Sequence, residues 1–392
     1  MKIAFLIQEI HPNSGQTYNI SEIIKYLITV TDWQMTVFAT KISYPIPEGF
    51  QNERVSIRKI DQLYSLIIFS RGMAKMLKEY DLIYVKGSYP FVFPAVRSGK
   101  PNILVVHQMD CWRLFSGTGK KIRIIATNMI TGYVIKKPDA IVTVTEELGV
   151  FYRKKYGVGI RVIEDQISDA YFNASKRKEI DKSGNVKLLT VGNWDGYSGR
   201  KRHHILLSYF CEAVKQLPSI HLSMVGLSQS NILDLEKLCM DLGISNKITL
   251  KASLPEEELL KEYTENDVYV TATTYEGFYR QIVEGFASGM PALAFDSKIV
   301  TGEVSSAAAA NHIIKSGGGK LYHDSESFLL SLNDIIDHYE ELSENAFKYS
   351  GRYSKEIVGY KTEHLINELI HDKMNEYRYD KEKLANSSGK YE

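Results

Sequence analysis

With 392 residues, the chain is too long for one ordinary hydrophobic core, and two domains of similar size are expected. Hydrophobic residues make up 44% and charged ones 24%, which is the balance of a globular chain and excludes a disordered one. Forty-eight Lys and Arg against 47 Asp and Glu leave a formal charge of +1, which argues against a nucleic-acid binder whose affinity rests on excess cations. The longest apolar runs, such as 103–106 and 141–144, are too short to span a bilayer. The start, MKIAFLIQEI, has no basic leader and runs into Glu9, so it reads as a first strand and not as a signal. Cys111, Cys211 and Cys239 are the only cysteines and show no Cys-x-x-Cys spacing. That implies neither a disulfide framework nor a zinc site, and it points to a reducing cytoplasm.

The first half alternates strand and helix. Residues 2–7 predict a strand, 17–27 a helix and 36–39 a strand. Further strands are expected at 81–85, 102–107 and 140–144, and 63–80 and 121–135 carry helical spacing of their apolar residues. Residues 173–185 (NASKRKEIDKSGN) are polar, charged and glycine-bearing, which marks an interdomain linker. A second set follows, with strands at 186–191, 220–225, 247–251, 267–273 and 292–295. Helices at 203–217, 232–242, 256–266 and 280–288 lie between them. The expected fold class is therefore α/β. Two doubly wound Rossmann-like domains, 1–172 and 186–350, would each carry a parallel sheet whose strand ends face a cleft. Helices are predicted at 326–350 and 355–370, and the polar tail 372–392 is expected to fray.

The stretch Thr274-Tyr275-Glu276-Gly277-Phe278, running through Glu284 to Gly289-Met290-Pro291, places two glutamates eight positions apart across a strand-to-helix junction. Glu276 falls in the loop at the carboxyl end of a strand, where open α/β sheets bind ligands. Glu284 falls among Ile282, Val283, Phe286 and Ala287 and needs a partner, because an unpaired buried charge is costly. Amides at the helix start, 279–281, suit a phosphate. A solvated helix face with two acids is the alternative on spacing alone. The string EGFYRQIVEGFASGMPALAF resembles the signature of the retaining nucleotide-sugar glycosyltransferases of family 4, the group 1 glycosyltransferases of GT-B architecture. The resemblance implies that Glu276, with Gly277, Phe278, Tyr279 and Arg280 beside it, lies near the transferred sugar and donor phosphates. It also implies that Glu284 accepts hydrogen bonds from the ribose hydroxyls.

Leu189-Thr190-Val191-Gly192-Asn193-Trp194, then Arg200-Lys201-Arg202, reads as strand, glycine-bearing loop and cationic helix start. Cations there oppose the helix dipole, so the cluster is easier to understand with an anion to neutralise it; a solvated basic helix start is the alternative. The segment resembles the family's phosphate-gripping Arg and Lys, with Lys201 matching the lysine. Asn193 stands where the family often has arginine, so Arg200 or Arg202 would supply the missing cation. Gly15, after the first strand, resembles one of two adjacent family glycines and reads equally well as a loop glycine. His107 ends the strand 103–106 and resembles the family histidine near the sugar; a structural histidine is the other reading. Main-chain groups near Lys251-Ala252-Ser253-Leu254-Pro255 would hold the base. Thr301-Gly302-Glu303 looks like the loop beside the donor sugar. His203 and His204 have no ligand spacing to carboxylates, and no metal site is read. Between 111 and 138 there are six basic residues, Arg113, Lys120, Lys121, Arg123, Lys136 and Lys137, and no acid. With Trp112, Phe115 and Met129 they suit an anionic acceptor or membrane surface, or form a solvated face.

The resemblance implies a metal-independent transferase that moves a hexose from a UDP- or GDP-sugar to a glycan, lipid-linked or other hydroxyl acceptor, with retention of configuration. His107, Arg200, Lys201 and Glu276 would be catalytic; Gly15, Gly192, Asn193 and 277–280 with Glu284 would bind the donor. The donor is substrate, so no cofactor is expected. Localisation is expected in the cytoplasm, at the inner membrane face where the basic segment can associate peripherally. A helix from 355–371 is implied to pack back onto the first domain. Rival readings are a nucleotide-sugar epimerase or phosphorylase of the same architecture, and an inactive nucleotide-binding partner subunit, which Asn193 and the thinned glycines motivate.

Overall fold

Parallel strands buried on both faces read as continuous apolar runs, and the sheets of this chain are built from such runs. A computed structural model describes residues 1–11, 14–61, 70–87, 89–107, 125, 129, 131–174, 180, 185–197, 199–298 and 307–388. These divide into two units. One takes the described residues up to His107, those from 125 to 166 and those from 355 onward; the other takes those from 167 to 354.

The first unit carries the parallel strands β1 (Lys2–Ile10), β2 (Gln34–Ile42), β3 (Val55–Lys59), β4 (Leu82–Lys86), β5 (Asn102–Val106), β6 (Ala140–Thr143) and β7 (Arg161–Val162). They lie in the order β3-β2-β1-β4-β5-β6-β7. The second unit carries β8 (Lys187–Val191), β9 (His221–Leu227), β10 (Ile248–Ala252), β11 (Val268–Thr271), β12 (Ala292–Phe295) and β13 (Gly319–Tyr322), in the order β10-β9-β8-β11-β12-β13. In both sheets the first strand neighbours the second and the fourth. The chain reverses its direction of progress there, and ligands of such sheets bind at the carboxyl ends beside that switch point.

An aspartate sets the opposite edge of each sheet. Asp81, just before β4, accepts the Lys2 amide at 2.8 Å, and Asp267, just before β11, accepts the Lys187 amide at 2.8 Å. Each bond pins the start of the first strand to the start of the fourth. Behind the second sheet, Leu206, Phe210, Leu222, Leu235, Phe328 and Leu332 fill a fully buried core. Each such side chain contributes on the order of 1.5–3 kcal/mol by leaving water.

Helix Lys355–Ser388 packs on helix Gly15–Val30 within the first unit. The approach is close at Gly359, where a Cβ would fall 2.3 Å from the Tyr26 ring, so only glycine fits. This helix continues beyond the expected 370 because the formers Lys, Glu and Met run on with no glycine or proline before Gly389. The span expected as one helix at 326–350 is two, Ser325–Asp337 and Tyr339–Ser350, broken at His338. The break turns Tyr339 inward, where its buried hydroxyl donates to the Asp267 carbonyl at 3.1 Å. Among the described residues no helix is long and apolar enough to cross a membrane.

Candidate active site

In the second unit the chain leaves β8 through Gly192, whose φ of 139° is open to few L side chains. A Cβ there would sit in ordinary contact with the Lys201 side chain at 3.4 Å, so it is the backbone conformation that calls for glycine. The Asp195 carboxylate then ties the following turn. Its Oδ2 accepts the Arg200 amide at 2.8 Å and its Oδ1 the Lys201 amide at 3.1 Å. Across the switch point the loop after β11 is fastened to the same turn, with the Thr274 amide donating to the Arg200 carbonyl at 3.0 Å. The two loops thus bring three side chains together. Arg200 Nη1 lies 3.1 Å from Glu276 Oε2, and Lys201 Nζ lies 2.8 Å from Glu276 Oε1.

The local backbone is strained on both sides of this cluster. Arg202 (φ 49°) and Tyr279 (φ 60°) are the only non-glycine residues of positive φ among the described residues. They are the N-caps of helices His203–Gln216 and Arg280–Ala287. Such conformations cost of order 1 kcal/mol or more each and persist where surrounding contacts over-determine them. Tyr279 supplies those contacts: its hydroxyl meets Thr271 Oγ1 at 2.6 Å and the Tyr269 hydroxyl at 3.3 Å, and its ring lies 4.6 Å from Lys201 Nζ. Burial opposes the charge on Lys201, and Arg200 adds to that opposition. Glu276 and Tyr279 outweigh both and hold the ammonium above the ordinary lysine value. Lys201 is 9% exposed and Arg200 40%, so one cation is fixed inside while the other reaches solvent. His203 adds no charge at neutral pH, because burial and the nearby Lys201 push its imidazole down to about 3.

Several expected donor contacts have protein partners here. Buried Glu284 accepts from Arg280 Nε at 2.8 Å and from the Tyr263 hydroxyl at 3.0 Å. Asn193 Oδ1 accepts from the Ser228 amide at 2.9 Å and Asn231 Nδ2 at 2.8 Å, so this side chain ties the loop to the start of helix Gln229–Asp241. Phe278 is buried against the rings of His312 and Tyr353, and its carbonyl accepts from His312 Nε2 at 2.5 Å. Gly277 is buried beside it. Nothing short-range announced Asp195 or His312 as supports of the site.

In the first unit Gly15 is exposed at the start of its helix. His107 follows β5 with Nδ1 3.5 Å from Asp165 Oδ2, and Asp165 in turn pairs with Lys86 at 3.2 Å. The loop Thr301-Gly302-Glu303 lies outside the described residues, as does the basic segment apart from 125, 129 and 131–138.

The model of the family described as glycosyl transferases group 1 matches residues 173–349, inside the second unit. No curated protein sequence matches the chain. Among solved structures, Anabaena Alr3699/HepE in complex with UDP-glucose is similar with a TM-score of 0.70 at 17% identity, over 94% of this chain and 100% of that one. Sucrose-phosphate synthase from Thermosynechococcus elongatus gives 0.69 at 14%, over 95% and 99%. The pneumococcal O-GlcNAc transferase GtfA, in complex with UDP and GlcNAc, gives 0.69 at 12%, over 95% and 99%. The switch-point cluster thus lies inside the segment that matches the group 1 glycosyltransferase model, in a chain with the two-sheet α/β fold of the GT-B glycosyltransferases.

Proposed function

We propose that the protein moves a hexose from a UDP- or GDP-sugar to a hydroxyl of a glycan or lipid-linked acceptor, with retention and without a divalent metal. The observation that carries this reading is the meeting of Arg200, Lys201 and Glu276 at the switch point of the family-matched unit. The anomeric carbon–oxygen bond to the diphosphate breaks, and the departing diphosphate gains charge. Preplaced cations lower that barrier because they need no reorganisation when charge develops. Arg200 and Lys201 take this role, with the start of helix Arg280–Ala287. Glu276 contacts the sugar, Glu284 reaches the ribose hydroxyls, and Gly192 lets the backbone approach the phosphates. The acceptor oxygen attacks from the face the diphosphate leaves, and a phosphate oxygen takes its proton. The similar structures solved with UDP-glucose and with UDP and GlcNAc support the donor class.

The test is a panel of UDP- and GDP-sugars, screened by thermal shift and then assayed with hydroxyl acceptors in EDTA. A ligand that binds only the folded state raises its stability. We expect one donor to stabilise the chain and to turn over with the chelator present. Activity that returns only with magnesium or manganese would remove the metal-free part. Donor conversion without acceptor would make it an epimerase, and tight binding with no turnover a partner subunit.

A lipid-linked acceptor would place the protein at the cytoplasmic membrane face. Ile125, Met129 and Tyr133 are exposed at four-residue spacing, and Lys137 lies over the Tyr133 ring. Each Lys or Arg near an anionic surface contributes on the order of 1 kcal/mol, less at high salt. Flotation with phosphatidylserine vesicles should carry the protein, and carry less of a Lys120, Lys121 and Arg123 triple serine variant. Equal partitioning of the two would make the segment a solvated face.

A further inference from the structure

Lys86 ends β4 at 1% exposure. Its ammonium donates to Asn19 Oδ1 and, at 3.2 Å, to Asp165 Oδ1. The other carboxylate oxygen stands 3.5 Å from His107 Nδ1, and Nε2 of that imidazole is buried with no hydrogen-bond partner among the described residues. The residues come from the end of β4, from the position after β5 and from just beyond β7, so the cluster lies at the carboxyl edge of the first sheet. A buried ion pair is weak evidence for stability, since apolar replacements are often neutral or better. The two ring nitrogens of a histidine are linked: whatever takes the proton on one leaves the other as acceptor.

We infer that Asp165 and Lys86 are positioning residues for His107. Asp165 accepts Nδ1–H, Lys86 holds that carboxylate in place, and the imidazole is fixed as the tautomer whose Nε2 accepts a hydrogen bond from a carbohydrate hydroxyl. The identity of that hydroxyl rests on the glycosyl-transfer reading; the tautomer does not. The charged groups facing the ring among the described residues are Lys86 and Asp165. Burial and the Lys86 charge lower the His107 pKa, while Asp165 works against them. Asp165 is held well below the usual carboxylate range, because Lys86 and His107 override its burial. The acceptor form is therefore the one present at high pH, and it is lost as pH falls through the lowered value. Removing the lysine charge should raise that midpoint.

NMR of the full chain with isotope-labelled histidine reads both quantities between about pH 5 and 8. In the wild type, His107 should be the neutral Nδ1–H tautomer at pH 7. Lys86→Met should raise its protonation midpoint by about one unit or more, Lys86→Arg should restore it, and Asp165→Asn should mix the tautomers. If Lys86→Met does not fold, the double variant Lys86→Met, Asp165→Asn removes both charges and should lose the tautomer preference. An Nε2–H tautomer in the wild type overturns the inference, as does a midpoint unmoved in a folded Lys86→Met. In turnover, the acid limb of kcat/KM should move with the NMR midpoint, and a limb that stays put removes the hydroxyl contact. The expected tautomer with no sugar-nucleotide turnover would support the positioning and sink glycosyl transfer instead.

Discussion

The two sheets share strand order and the aspartate bond at their amino edges, yet they use their carboxyl edges differently. In the second unit the polar cluster comes from two loops, and Arg200 and Lys201 are adjacent in the chain. Arg200 is half exposed, so its charge is offered outward. In the first unit a cation and a carboxylate also meet beside the switch point, but they are drawn from separate elements and Lys86 is sealed inside. The difference teaches that topology supplies the place and exposure supplies the use. Arg200 reaches solvent and Lys201 beside it keeps 9% exposure, so this pair can meet a diphosphate, whereas Lys86, at 1%, can only shape the group beside it.

This contrast can be broken in three ways. Lys86→Ala leaves Asp165 buried without its cation and should cost about 3–5 kcal/mol of stability, read from urea unfolding. A loss below about 1 kcal/mol would show that water reaches the pair and that the first cluster is not sealed. Lys201→Ala leaves Glu276 with Arg200, so its unfolding cost should be small. Its kcat should fall on the order of 10²–10³-fold with KM moved far less, since charge on the diphosphate grows toward the transition state. If only KM rises, Lys201 merely binds substrate. Glu276→Gln frees both cations and should tighten binding of the nucleoside diphosphate alone by on the order of 1–2 kcal/mol, while turnover of the sugar donor falls. Calorimetry that finds UDP and GDP bound no more tightly would mean that neither cation meets the diphosphate.

Much of the fold was legible because parallel strands sheathed by helices leave a plain pattern of short apolar runs and amphipathic segments. The run 292–295 is a strand in full, and 203–217 and 256–266 are helices within a residue. The strands β3, β7 and β13 escaped notice. Val55–Lys59 is half polar, β7 has two residues, and Gly319–Tyr322 opens on a glycine. The edge strands β3 and β7 bury little, so burial writes no pattern into them.

Sequence alone determined the β–α alternation, the glutamate-bearing turn after β11 and the cationic turn after β8, because each of these is encoded within about ten neighbouring residues. Only the tertiary structure decided which groups pair. Glu276 meets Arg200 across 76 positions, Phe278 meets His312 across 34, and Lys86 meets Asp165 across 79. It also decided that Glu284 is held by Arg280 and Tyr263 and that Asn193 serves a loop. The reason is physical. A hydrogen bond or an ion pair depends on distance and exposure, and packing sets both between elements far apart in the chain.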